Sequence, residues 1–155
     1  MIRRHALSAV FTTVALFAMG SPALAEDRGS KDEAMQMVNA AFDHMKKAGD
    51  TKALDDFTKD KATWVKKDLY VFVFDTKGTF IAHGANDKLV GRDMSNMKDA
   101  NGKAIFPAMK EVVAKGTGWV DYDWAHPQTK KVEGKSSYVR QTPDGKGLIG
   151  VGIYR

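Results

Sequence analysis

Leu69-Tyr70-Val71-Phe72-Val73-Phe74 runs into Asp75-Thr76-Lys77-Gly78 and then Thr79-Phe80-Ile81-Ala82-His83. The first run is aliphatic and aromatic, the second carries tight-turn chemistry and the third extends again, so the stretch reads as a β-hairpin. Side chains alternate across a strand, which puts Tyr70, Phe72 and Phe74 on one face and Leu69, Val71 and Val73 on the other. A strand apolar on both faces belongs at the centre of a sheet that is covered from both sides.

Upstream lies a helical cover. Ser30-Lys31-Asp32-Glu33 is a capping box, in which a serine hydroxyl and a glutamate three residues on satisfy free amide donors at a helix start. Ala34, Met37, Val38, Ala41 and Met45 then form one apolar stripe until Gly49-Asp50 stops it. A second amphipathic piece runs from Lys52 to about Trp64. Downstream, Gly84 to Gly102 is polar and turn-rich and reads as a long structured connection. A short helix follows over about Lys103 to Lys115, with Ile105, Met109, Val112 and Val113 inward, Pro107 in its first turn and Gly116 just past its end. Three more strands are expected, Gly118 to Trp124, about Lys131 to Arg140, and Leu148 to Tyr154. The expected fold class is α+β, an antiparallel sheet of about five strands with the N-terminal helices on one face and the middle connection and short helix on the other.

The amino terminus reads as an export signal: Arg3 and Arg4, an apolar run from Ala6 to Met19, and Ala23-Leu24-Ala25 as a small-x-small cleavage site. Residues 1–25 are therefore expected to be removed, leaving a helical segment over 26–66 and a sheet core over 67–155 that together make one periplasmic domain. No later stretch is apolar for long enough to span a membrane. With no cysteine in the chain, disulfides and thiolate chemistry are excluded and packing must supply stability. Losing Arg3 and Arg4 from 24 basic residues leaves 22 against 19 acidic ones, a net charge near +3 spread over an interleaved surface, which gives no nucleic-acid footprint.

Catalytic motifs are missing: there is no nucleophile elbow, phosphate-cradling glycine loop or His-Glu-x-x-His helix. Asp121 and Asp123 alternate with Val120, Tyr122 and Trp124, as on the solvent side of an amphipathic strand. His44, His83 and His126 are too scattered for a metal set, so neither an enzyme nor a metal or other cofactor is expected.

Asp68 to Phe74 with Asp75 and Gly78, His83, Leu89-Val90-Gly91, Asp99 with Gly102, Gly116-Thr117-Gly118-Trp119-Val120, Tyr122, Trp124, His126-Pro127, Lys135, Tyr138 and Gly152-Ile153-Tyr154 follow one another in an order and spacing that resembles the single Cache domain, type 2, of bacterial chemoreceptors and sensor kinases. The resemblance implies a PAS-like fold, with a long N-terminal helix behind a five-stranded antiparallel sheet and a ligand pocket on the opposite face. It also implies extracytoplasmic detection of small molecules, often short carboxylic acids. Two departures stand out. Gly84 follows His83 where the family commonly has proline, which predicts a looser loop. The sequence also stops at Arg155 with no second membrane helix or output module, so the expected object is a stand-alone binding protein that hands its signal to a membrane receptor or sensor kinase.

On this reading the ligand-binding candidates are Tyr70, Phe72, His83, Met109, Tyr122, Trp124, Lys135 and Tyr138. Tyrosine and tryptophan join apolar bulk to a hydrogen-bonding tip, and Lys135 is the cation for a carboxylate. Strict alternation separates Lys135 from Tyr138, so both reach one pocket only across a bulge. In the last strand, Gly150, Gly152 and Tyr154 share a face; the glycines either open a cavity beside the aromatic face or mark a bulge or close packing. Replacing Lys135 by methionine is expected to leave the ligand-free fold equally stable. The alternative function is a structural or protein-interaction module whose pocket is filled core.

Overall fold

The computed structural model describes residues 27–155, so the export signal expected over 1–25 lies outside the described residues. Helix α1, Lys31–Ala48, starts at the Ser30 cap: the Glu33 amide donates to Ser30 Oγ (3.2 Å) and the Ser30 amide to Glu33 Oε2 (2.9 Å). It ends at Gly49, whose φ of 82° suits glycine. Helix α2, Asp50–Lys59, and the single turn α3, Lys61–Trp64, complete the N-terminal layer.

The sheet is antiparallel and carries six strands, β1 Val65–Lys66, β2 Leu69–Asp75, β3 Phe80–His83, β4 Thr117–Ala125, β5 Val132–Gln141 and β6 Gly147–Tyr154. Its order is β1-β2-β6-β5-β4, with β3 also on β2. The two-residue β1 is the strand not foreseen: the sequence from Lys52 to Trp64 reads as helix, and only the turn at Lys67 (φ 59°) folds Val65 and Lys66 back onto Tyr70 and Leu69. As its double-sided pattern requires, β2 is central, flanked by β6 on one edge and by β1 and β3 on the other, and only Asp75 escapes burial.

Each face has its own core. Leu69, Val71, Val73, Ile149 and Val151 meet the α1 stripe of Ala34, Val38, Ala41 and Met45 together with Phe57 and Trp64. Tyr70, Phe72, Phe74, Val120, Tyr122 and Leu148 face Ile105, Phe106 and Met109 of α4, Ile105–Ala114. Between β3 and α4 the connection is laid along the sheet rather than left loose: the Phe80 amide donates to Arg92 O, Gly91 N to Phe80 O, and Met94 N to Gly78 O. Further on, Asp99 Oδ2 accepts the Asp123 amide, which covers part of the outer edge of β4.

Gly84 corrects the expectation of a looser loop. Its amide donates to Val71 O at 2.8 Å, a bond proline cannot make, and a side chain here would press on Tyr70 Cβ and Phe57 O. The glycine fastens the strand end through a bond that a proline at this position would lack.

Candidate functional site

The face away from α1 converges on Lys135. Lys135 is 1% exposed, and its ammonium donates to Tyr70 Oη at 2.7 Å and lies 4.1 Å from the Tyr70 ring centroid, 5.0 Å from Tyr154 and 5.5 Å from Phe72. The pairing of β5 with β6 explains how a lysine fits. Lys135 lies beside Gly152, where a Cβ would come within 2.3 Å of Lys135 Cε, and a Cβ on Gly150 would come within 2.4 Å of the Phe72 ring. The strand glycines thus make room that the Lys135 stem and the Phe72 ring occupy, instead of leaving an open cavity.

A hydrogen-bond chain leaves the ammonium. Lys135 donates to Tyr70 Oη, Tyr70 donates to Tyr154 Oη (3.1 Å), and Tyr154 donates to Ala125 O (2.8 Å), so the direction of every hydroxyl is fixed from the two ends. Tyr122 Oη pairs separately with Ser137 Oγ at 2.9 Å. Burial raises the pKa of Tyr70, Tyr122 and Tyr154, so all three stay protonated at neutral pH. Burial pushes the Lys135 ammonium down to about 7, against the opposing pull of the Asp68 carboxylate.

His83 reaches this face through a bulge. The ladder between β2 and β3 shifts register between Val73 and Phe74, so Phe72 pairs with His83 and Phe74 with Phe80, and both Phe80 and His83 join the aromatic side. His83 Nδ1 accepts the Asn86 amide at 3.0 Å, which places the proton of the neutral ring on Nε2. Burial, then the charges of Lys135 and Lys61, lowers its pKa to about 3.

Tyr70, Phe72, His83, Met109, Tyr122, Trp124 and Lys135 line one cavity, completed by Phe74, Phe80, Met94 and Ile105. Its free space is about 10 Å³, room for roughly one water. An open cleft of about 390 Å³ adjoins it, sharing Tyr70, His83 and Trp124 as the partition and reaching the exposed Met97 and Val132.

Tyr138 is a correction. The pairing of β5 runs without a bulge from Val132 to Gln141, so Tyr138 lies on the opposite face from Lys135, packed on Trp119 with its hydroxyl on Thr117 Oγ1. It belongs to the helix side and does not border the cavity.

Sequence reasoning gave no role to Asp68 and His126, which are buried together. Asp68 Oδ1 accepts the Gly29 amide at 2.6 Å, while Oδ2 faces His126 Nε2 at 3.6 Å, too far for a hydrogen bond, and both atoms lack a partner. His126 Nδ1 accepts the amides of Gln128 and Thr129, and its ring packs on Tyr154. The available signal was that both belong to the segments carrying the family resemblance, although their proximity depends on pairing across the sheet. Among the described residues no three His, Asp or Glu side chains are grouped to hold a metal ion.

Comparison with known proteins places this geometry. The Cache domain family model matches residues 30–155. The methyl-accepting chemotaxis protein McpP of Pseudomonas putida is 32% identical over 88 residues, and the sensor histidine kinase MctS of Rhizobium johnstonii 27% identical over 88 residues. These alignments cover 56% and 57% of this chain but only 16% and 19% of the relatives, so the chain matches a small part of much longer proteins. A crystal structure of a methyl-accepting chemotaxis protein from Vibrio parahaemolyticus superposes with a TM-score of 0.70 at 23% identity, covering 80% of this chain and 87% of that one, and shares its fold. A structure described as the basis for carboxylic acid recognition by a Cache chemosensory domain gives 0.66 at 28% identity, covering 79% and 91%. A periplasmic sensor domain of a chemotaxis protein gives 0.62 at 27% identity, covering 79% and 88%. From the capped helix at Ser30 to the last strand, the chain belongs to the Cache domain family.

Proposed function

We propose that this protein is an exported sensor that binds a short monocarboxylate and passes that information to a membrane receptor or sensor kinase. The observation that carries the reading is a buried ammonium with no carboxylate in hydrogen-bonding reach. Lys135 is held by one phenol and three ring faces, and the neutral His83 lines the same space. Isolated buried charges are costly, and a ligand anion is the counterion that would offset this one. Because Lys135 is the lone charged group among the cavity residues, one carboxylate is matched and a second would be buried without a partner. The relatives support the reading: two are named as a chemotaxis protein and a sensor kinase, and one solved relative at 28% identity is described by its carboxylic acid recognition. The periplasmic description of another fits the export signal over 1–25, and intact mass of protein recovered from the periplasm should begin at Glu26.

A second reading, an interaction module with a filled pocket, is favoured by the cavity volume of about 10 Å³. Against it stands the composition of the filling, since a merely packed core gains nothing from an unpaired ammonium. A ligand would have to displace side chains, and the adjoining cleft of about 390 Å³ supplies the space they can move into. A thermal-shift series with acetate, propionate, butyrate, succinate and neutral amides separates the readings. Binding at ~100 times the dissociation constant adds about 2.7 kcal/mol, so a rise in Tm with the monocarboxylates alone supports the sensor. No rise with any member supports the filled module.

A further inference from the structure

We infer that binding at this site is coupled to proton uptake by Lys135, so that the protein reports a carboxylate and the ambient acidity jointly. The inference rests on the carboxylate reading above and adds the regulation of that site. Its basis is the set of groups facing the ammonium from each packed element. From β2 come the Tyr70 hydroxyl and ring, from β6 the Tyr154 ring, and from β3 the neutral His83 imidazole. Ser137 and Tyr122 close the side toward β4 by bonding to each other.

Asp68 is the acid whose charge acts on the lysine, but it makes no hydrogen bond or ion pair with the ammonium: Oδ1 accepts the Gly29 amide, and Oδ2 faces His126 at 3.6 Å without a hydrogen-bond partner. The protein itself therefore supplies this ammonium with no salt bridge, and losing the proton relieves the burial cost. Consistently, its affinity for a proton is depressed until the group is half neutral near pH 7. A carboxylate placed beside it supplies the missing counter-charge and makes the ammonium the favoured form again. Linkage then fixes the sign: above the free-site value the complex holds one more proton than its separated parts, and below it none is gained.

Neither His83 nor the tyrosines of the cavity change charge in that window. His83 is neutral above about 3, and the tyrosine hydroxyls titrate above their ordinary range. Carboxylate affinity should therefore be flat between pH 5.5 and 6.5 and fall by about tenfold per unit above pH 7.5.

Calorimetric titration of the intact protein with acetate, propionate and butyrate tests this in two buffers of different ionisation enthalpy. At pH 8.5 the binding heats should differ by the full difference in buffer ionisation enthalpy, as for uptake of about one proton; at pH 5.5 they should agree. The side-chain carbon resonance of Lys135, followed against pH with and without the tightest of the three acids, should titrate near 7 in the free protein and above 9 when saturated, and needs no substitution that could unfold the chain. Binding with equal heats in both buffers at pH 8.5, or an unmoved Lys135 titration, overturns the proton coupling and leaves the carboxylate site standing. No binding heat with any of the three acids at either pH overturns both.

Discussion

A lysine is normally kept at the surface because its charge is strongly hydrated, and position 135 reverses that arrangement with 1% exposure. Its folded pKa of about 7 lies below the unfolded 10.5, so between these values the unfolded chain binds more protons and stability rises with pH. The ligand-free protein should therefore melt higher at pH 9 than at pH 7. Lys135→Met removes this slope and should raise Tm at pH 7, measurable by calorimetry across the range. This revises the expectation that methionine would be neutral for stability, which treats the lysine as partly solvated. The neighbouring glycines carry a second prediction. Alanine at Gly150 would overlap the Phe72 ring, which is fixed by its packing, and should cost about 1–3 kcal/mol in chemical denaturation. At this scale the sequence showed which residue types meet and not how they fill space. The aromatic face, the lysine and the glycines were all legible, whereas the choice between an open cavity and one occupied by the Lys135 stem depends on side-chain volumes across three strands.

Secondary structure was legible wherever the signal is local. The Ser30 box, the stop at Gly49 and the turn at Gly78 are each written in four or five consecutive residues and appear where expected. The bulge opposite Val73 was not legible, because an extra residue in β3 is defined only against its partner strand, and that bulge is what turns both Phe80 and His83 toward the cavity. Tyr138 fails for the complementary reason: β5 is regular, so parity alone decides its face. The capping box can be tested directly. Ser30→Ala should cost about 1 kcal/mol through the lost acceptor for the Glu33 amide. Its acidic partner sets a pH window as well. The Ser30 amide, then Lys67 and Lys66, lower the Glu33 carboxyl from 4.5 to about 2. That stabilisation is present above pH 4.5 and is lost as pH falls from there through about 2. Glu33→Gln should flatten this part of the acid-denaturation curve, followed by circular dichroism.

Across the whole molecule, Asp68 joins parts of the chain that are far apart in sequence. Its backbone leads into β2, Oδ1 holds the Gly29 amide just ahead of α1, and Oδ2 confronts His126, whose ring rests on Tyr154 beside Lys135. Around it Arg28 bonds Glu133 and reaches the Arg155 carbonyl, so the approach to α1 and the last described residue are pinned at one end of the sheet. The same carboxylate opposes the burial that depresses Lys135, which ties the site electrostatically to the point where α1 begins. Asp68→Asn deletes the charge and nearly preserves the shape. Its amide cannot satisfy both neighbours: with oxygen toward Gly29 its N–H₂ faces the His126 Nε2–H, and turned around it loses the Gly29 bond. A stability loss of about 1–3 kcal/mol in chemical denaturation is expected in either orientation. The more specific outcome concerns the site. Without the opposing carboxylate Lys135 should give up its proton below pH 7, so monocarboxylate affinity weakens at pH 7 and recovers toward pH 5.5, where the ammonium is restored. Stability loss and affinity loss therefore separate on the pH axis. Should the Lys135 resonance titrate in the Asp68→Asn protein as it does in the unaltered one, Asp68 is a structural clasp for the start of α1 and has no electrostatic part in ligand binding.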